Sequence, residues 1–343
     1  MIRLALFLFV MITGFAKASY AYEFQQIKNI FGYLQTHYDK SVDYRELSLE
    51  SGKILHQFDS DIKLYCSDAK AFLYDKQQLI KTFDLPQKND SELWQQTLNS
   101  IILEGYERSD FMKQNPEKFE NQVIQMITEH LDSYSRVEAN VFKENMIDYT
   151  LRDNILYLKT SAFYHGYAQN LKNVISHFSG IDGIILDLRG NRGGYFDEAV
   201  KTADLFLDDV LIAYSIEKNQ PKRFYTASHG DILNGKSIAI LTDETTASAA
   251  EIVVAALSEQ GRAIVIGTKT YGKGTIQQTE KLGSSVLYLT SGQFFSPSGK
   301  SIQGQGVMPQ ICTGLNHDCR FSDKTDPQKD ILMAIRVIQN TLS

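Results

Sequence analysis

Apolar and polar positions change their rhythm about 146 residues into this chain. Before that point the spacing is helical. Phe24, Ile27, Ile30, Phe31, Leu34 and Tyr38 recur every three or four residues, as one face of an amphipathic helix does. A second such run, Phe119, Val123, Met126, Ile127 and Leu131, follows Asn115-Pro116, a helix start with proline at its first position. Gln87 to Ser91 is a polar break between them. The stretch 22–146 is therefore read as a helical N-terminal domain.

From 147 onward, short apolar runs alternate with helical patterns. Ile155 to Leu158, Gly183 to Leu188, Ser237 to Leu241 and Ala263 to Ile266 read as strands. Three of them are apolar at nearly every position, as strands covered on both faces are. Helices are expected up to about Phe178, around Ala199 to Leu207, and from Ala247 to Leu257, where Gly261 closes the last. Strand and helix in alternation predict a parallel sheet built from crossover units, an α/β fold. Thr275 to Leu282 and Ser285 to Ser296 add β structure. Asp326-Pro327 opens a final helix through Ile331, Leu332, Ile335 and Ile338.

The first residues change where such a domain is expected to work. Arg3 precedes an apolar run from Leu4 to Phe15, and small residues at Ala16, Ala18, Ser19 and Ala21 offer cleavage positions. This reads as a signal peptide over 1–21 and an exported protein, periplasmic or secreted. The run is short for a membrane span, and an uncleaved anchor is the alternative. The chain has 343 residues and a formal net charge of −6. Cleavage would remove Arg3 and Lys17 and no acid, so the mature protein is more acidic still. That argues against nucleic-acid partners.

Three cysteines are present. Cys312 and Cys319 are a disulfide candidate in an oxidising compartment, with two free thiols as the alternative. Cys66 reads as a small buried side chain. No CxxC or His-rich spacing suggests a metal site.

Candidate chemistry gathers in the second half. Ser248 stands where a buried strand gives way to a helix, in Thr246-Ala247-Ser248-Ala249-Ala250-Glu251. Free amides and the positive helix end there suit a serine nucleophile. The Ser-x-x-Glu spacing equally suits a capping box. A serine nucleophile needs a base. No Gly-x-Ser-x-Gly elbow is present, and none of the seven histidines sits in a triad context, His165 being the nearest rival.

Lys273 lies between Gly272 and Gly274, just after a strand, and serves as a base if burial keeps it neutral. Gln277 follows four residues on, placed to reach it. Gly267 to Lys273 also approaches a phosphate-binding loop. Gly274 stands where Ser or Thr is needed, however, and a β-branched stretch follows instead of a helix.

Four blocks together resemble the C-terminal-processing, or tail-specific, serine peptidases. They are Asp187-Leu188-Arg189-Gly190-Asn191-Arg192-Gly193-Gly194, Thr246 to Glu251, Gly267 through Gln277, and Pro297-Ser298-Gly299 with Gly304 to Pro309. Ser248 and Lys273 are 25 positions apart, as the family's catalytic pair is. Leu131-Asp132-Ser133-Tyr134-Ser135 resembles the stretch that ends the family's N-terminal helical part.

The resemblance implies a crotonase-like, Clp-protease-like core. It implies Ser248 as nucleophile, Lys273 as general base and Gln277 as the residue that orients the lysine. The amides of Ala249 and of Gly193 or Gly194 would form the oxyanion hole. The peptidase core is expected over 147–310 and a C-terminal extension with a helix over 311–343.

The family usually inserts a PDZ domain before the core, and the short run from Ser135 to Ile155 leaves no room for one. Arg192 replaces a usually smaller residue. The expected function is a serine endopeptidase cleaving exported proteins, near their C-termini if tail specificity survives, with no cofactor or metal. Its partners would be protein or peptide substrates, and a second copy or an adaptor bound through the helical domain. A non-catalytic ligand- or peptide-binding protein on the same fold is the alternative.

Overall fold

The computed structural model describes residues 24–139, 147–316, 318–322 and 326–341. The signal peptide expected over 1–21 lies outside them. Among the described residues no helix is long and apolar enough to cross a membrane.

The N-terminal unit is more mixed than its helical spacing suggests. Helices α1 (Gln25–Thr36), α2 (Tyr44–Gly52) and α3 (Ile54–Phe58) lead into an antiparallel sheet of β1 (Ile62–Cys66), β2 (Lys70–Asp75) and β3 (Gln78–Asp84). Helices α4 (Ser91–Tyr106), α5 (Asp110–Gln114) and α6 (Pro116–Glu129) complete it. The periodic residues Ile27, Ile30, Phe31 and Leu34 of α1 meet Phe119, Val123 and Ile127 of α6 in one core. The sheet escaped the sequence reading because it lies largely open to solvent and buries few side chains, so its alternation is blurred. Cys66, expected inside, is exposed at the end of β1.

Strand β4 (Arg136–Ala139) leaves this unit to join the core. A six-stranded sheet then runs in the order β14, β11, β10, β7, β6, β5. Its strands are β5 (Asp148–Arg152), β6 (Ile155–Lys159), β7 (Gly183–Asp187), β10 (Ser237–Thr242), β11 (Ile264–Gly267) and β14 (Ile311–Cys312). All neighbours are parallel except β5 with β6.

Alternate residues of these strands divide between two cores. Leu156, Ile184, Leu186, Ile238, Ile240 and Val265 face the helices α7 (Tyr167–Ser176), α8 (Phe196–Asp204) and α9 (Ala249–Glu259). Ile155, Ile185, Ala239, Leu241 and Ile266 face α10 (Lys329–Asn340). Burial on both sides explains the unbroken apolar runs. The segment set apart at 311–343 contributes both β14 and α10 to this core.

A second sheet, unread in the sequence on its β8–β9 side, runs β12 (Thr275–Leu282), β13 (Ser285–Phe295), β8 (Leu211–Glu217), β9 (Arg223–Thr226). β4 also pairs with β13. Because β7, β10 and β11 are adjacent and parallel, the loops leaving their C-terminal ends meet at one edge, where open α/β sheets place their sites. Those loops carry the first three sequence blocks.

Candidate active site

Ser248 opens α9 with φ 57° and ψ −121°, a conformation that side-chain-bearing residues rarely adopt without support from their surroundings. Neighbouring loops supply that support. Ala247 donates its N–H to Asn191 O, and Thr246 Oγ1 donates to Leu188 O. Asn191 is fully buried. Its side-chain oxygen accepts the Gly193 N–H at 2.8 Å, and its amide donates to Thr160 O.

The turn after β7 is thereby pressed against the serine. A Cβ on Gly193 would lie 2.9 Å from both Ala247 O and Ser248 Cβ, and 3.0 Å from the Ala249 nitrogen. Gly193 has φ +103° and Gly194 φ +141°, values glycine alone adopts without strain. Among the described residues no acceptor takes the N–H of Gly194 or of Ala249. The Gly193 N–H is already committed to Asn191.

Glu251, the fourth residue of the Ser-x-x-Glu spacing, does more than cap a helix. Its carboxylate is fully buried. One oxygen accepts the N–H groups of both Ser248 and Lys273 at 2.8 Å. The other accepts the Gly272 N–H at 2.7 Å and the Thr270 hydroxyl. Burial pushes this carboxyl up, while the donors around it work in the opposite sense. The same group answers the phosphate-loop resemblance. The amides of Gly272 and Lys273 already face a protein carboxylate, and the chain goes on as strand β12, not as a helix.

The fourth sequence block explains itself here. Gly304 N–H donates to Gly272 O, and Thr270 N–H donates to Val307 O, so residues 304–307 lie along the lysine loop and hold its shape.

Lys273 points into partly buried space, and its amine donates to Gln277 Oε1 at 2.7 Å. Burial, with the Arg136 charge nearby, pulls its pKa down to about 8. No hydrogen bond joins this amine to the Ser248 hydroxyl in the structure. Such bonds are often long without substrate and tighten when it binds. The rival base, His165, lies exposed, stacked on Tyr195 with ring centroids 3.7 Å apart. The disulfide joins Cys312 to Cys319. It shapes the far end of the same loop, because Cys319 O accepts the Lys269 N–H. Asp208, Asp209 and His229 come together on the exposed surface, where His229 pairs with both carboxylates.

Residues 154–313 match the model of peptidase family S41. Over these residues the chain is similar to peptidase family S41 domains. The matched residues include all four blocks and Asn191, Gly193, Gly194, Ser248, Ala249, Glu251, Lys273 and Gln277. Over 185 residues the chain is 34% identical to a carboxy-terminal-processing protease of Bartonella bacilliformis, covering 51% of this chain and 42% of that protein. It is 32% identical over 181 residues to a probable CtpA-like serine protease of Staphylococcus epidermidis, covering 51% of this chain and 37% of that one. The chain thus spans less than half the length of these curated relatives. A lipoprotein from Streptococcus agalactiae shares the fold over 85% of this chain and 92% of its own, with TM-score 0.56 at 16% identity. The matched core is a mixed α/β fold with a largely helical unit before it.

Asn191 went unassigned in the sequence, and Glu251 was read only as the partner of Ser248 in a capping box, which the structure contains. Both stood within recognised blocks, yet their wider tasks depend on which loops the sheet brings together.

Proposed function

We propose that this protein is a serine endopeptidase acting through Ser248 and Lys273. The observation that carries the reading is the amine of Lys273, lowered to about 8 and held by Gln277, on a loop that shares one Glu251 oxygen with the backbone of Ser248. A lysine amine lowered this far, on a loop anchored to the same carboxylate as a strained, helix-capping serine, has few other uses.

In this reading the neutral Lys273 takes the Ser248 hydroxyl proton as Oγ attacks the peptide carbonyl. The oxyanion of the tetrahedral intermediate is received by the N–H groups of Ala249 and Gly194, which have no acceptor of their own. Lys273 returns the proton to the leaving amine, and an acyl-enzyme on Ser248 remains. A water molecule, deprotonated by the same lysine, releases the new carboxylate and restores the serine. Gln277 keeps the amine oriented. Gly193 allows the turn to approach, and its own amide serves Asn191.

The substrates are exported proteins whose chains lie extended at the edge near the Gly193–Gly194 turn. The Cys312–Cys319 bridge supports an oxidising compartment. Ser248→Ala and Lys273→Ala should each abolish cleavage of an unfolded protein, and Ser248→Ala should abolish labelling by a serine-directed acylating probe. Wild-type turnover in either variant overturns the pair. Mass spectrometry of the products shows whether cuts are confined to C-termini.

A further inference from the structure

The S41 match begins at residue 154, yet one side chain facing the lysine comes from before it. The ring of Tyr134 lies with its centroid 5.0 Å from Lys273 Nζ. Its hydroxyl accepts a hydrogen bond from Gln303 Nε2 at 3.2 Å, and Gln303 Oε1 accepts the Gly274 N–H at 2.9 Å. Tyr134 therefore touches the lysine from two directions, over its amine and through the backbone of the next residue.

Its own position is tightly set. Asp132 Oδ1 accepts the N–H groups of Tyr134 and Ser135 at 2.7 and 2.9 Å, and Thr290 Oγ1 of β13 donates to the same oxygen. Ser135 Oγ accepts the Thr290 N–H. Arg136 donates to Tyr134 O and lies over the Tyr288 ring. Beyond Tyr134, β4 pairs with β13.

We propose that Tyr134 is a positioning residue for Lys273, a roof that keeps water from the amine and is in place only when the segment 131–139 is docked on β13. This rests on the reading of Lys273 as the base. An aromatic face attracts an ammonium, but less strongly than the water it displaces, so the roof favours the neutral amine. The charged groups felt by the amine are Arg136, which opposes its protonation, and Asp132 and Glu138, which favour it. Buried Glu251 bonds the amide of the same residue. Asp132, Arg136 and Glu138 all lie on the segment that carries Tyr134. The N-terminal unit thereby completes the site by contributing this segment.

The test reads the lysine directly. Trace acetylation of the folded full chain across the neutral to alkaline range, followed by mass spectrometry of the peptide holding Lys273, gives that amine's own titration without any catalysis. The wild-type midpoint is expected at about 8. Tyr134→Ser should move it upward by about one unit or more, because water replaces the ring. Tyr134→Phe, which keeps the ring, should leave it in place and lower kcat only a few-fold with KM unchanged. Gln303→Ala, which frees the ring's outer edge, should give a smaller upward move and stands in for Tyr134→Ser if that variant melts early. Unmoved midpoints in folded Tyr134→Ser, or in Gln303→Ala where the serine variant does not fold, overturn the proposal. Loss of serine labelling in the wild type would instead sink the peptidase reading and leave the amine titration to judge the roof.

Discussion

In the proposed mechanism Lys273 serves as the base only when uncharged, so its ionisation sets the expected pH dependence of hydrolysis. Burial lowers the amine from the ordinary lysine range to about 8. Below that value most of it is ammonium and idle. Hydrolysis should rise about tenfold per pH unit through neutrality and level off above about pH 8, leaving roughly one-tenth of the maximum at pH 7. A plateau already reached at pH 6, in a kcat/KM profile, would contradict a lysine base. Glu251 is the other residue on which the site turns. Four donors face its two oxygens. Glu251→Gln sets an amide N–H2 against two of them and should destabilise the protein by about 3 kcal/mol in urea unfolding. Activity should fall with it, since the loops of Ser248 and Lys273 lose their common anchor.

Among the elements, the turn between β7 and α8 has little freedom. Gly193→Ala would drive a methyl group into Ala247 O and Ser248 Cβ at a backbone angle alanine resists. If the neighbouring Gly194 amide receives the oxyanion as proposed, displacing it should lower kcat by at least about 100-fold. Far-ultraviolet circular dichroism should stay close to wild type, because β7 and α8 are held by the core on either side. The strand ends matter more than the strands here. β7, β10 and β11 are interchangeable as apolar ribs, while the loops that follow them carry Asn191, Ser248 and Lys273. The buried Asp187 shows how firmly one such end is fixed. Burial alone would raise its carboxyl, but Arg189, Tyr157 and Lys159 hold it below the usual carboxylate range, and Arg189 reaches on to Asp330 of α10.

At the scale of the whole molecule, the two units share one surface. Leu282, Leu287 and Leu289 of the second sheet belong to the N-terminal core. Asp132 and Ser135 join that surface to Thr290. Burial would raise the Asp132 carboxyl, but the amides of Tyr134 and Ser135 and the Ser135 hydroxyl hold it below its ordinary value. The contribution it makes to docking is complete above the unfolded carboxylate value of about 3.9 and is lost as pH falls through the lower folded value. Amide hydrogen exchange at Tyr134 and Ser135 should therefore stay slow from neutral pH to about pH 4 and quicken only in stronger acid. Asp132→Ala should make it fast at neutral pH and cost roughly 1–2 kcal/mol of stability. Equal protection in wild type and variant would show that the docking does not depend on this carboxylate.

Much of this was written in the order of residues. Apolar runs named the four inner strands, because a strand covered on both faces has no polar side to show. The blocks around Asn191, Ser248, Lys273 and Gly304 marked the loops, and the spacing of Cys312 and Cys319 suited the bridge they form. Local order could not supply what depends on distant neighbours. The exposed sheet β1–β3 buries too little to print a pattern. The tasks of Asn191, Glu251 and Tyr134 exist only once three parallel strand ends and the Leu131–Arg136 segment meet. Hydrophobic periodicity records which face of an element is buried. The tertiary structure decides which loops share a carboxylate, because that contact joins residues far apart in the chain.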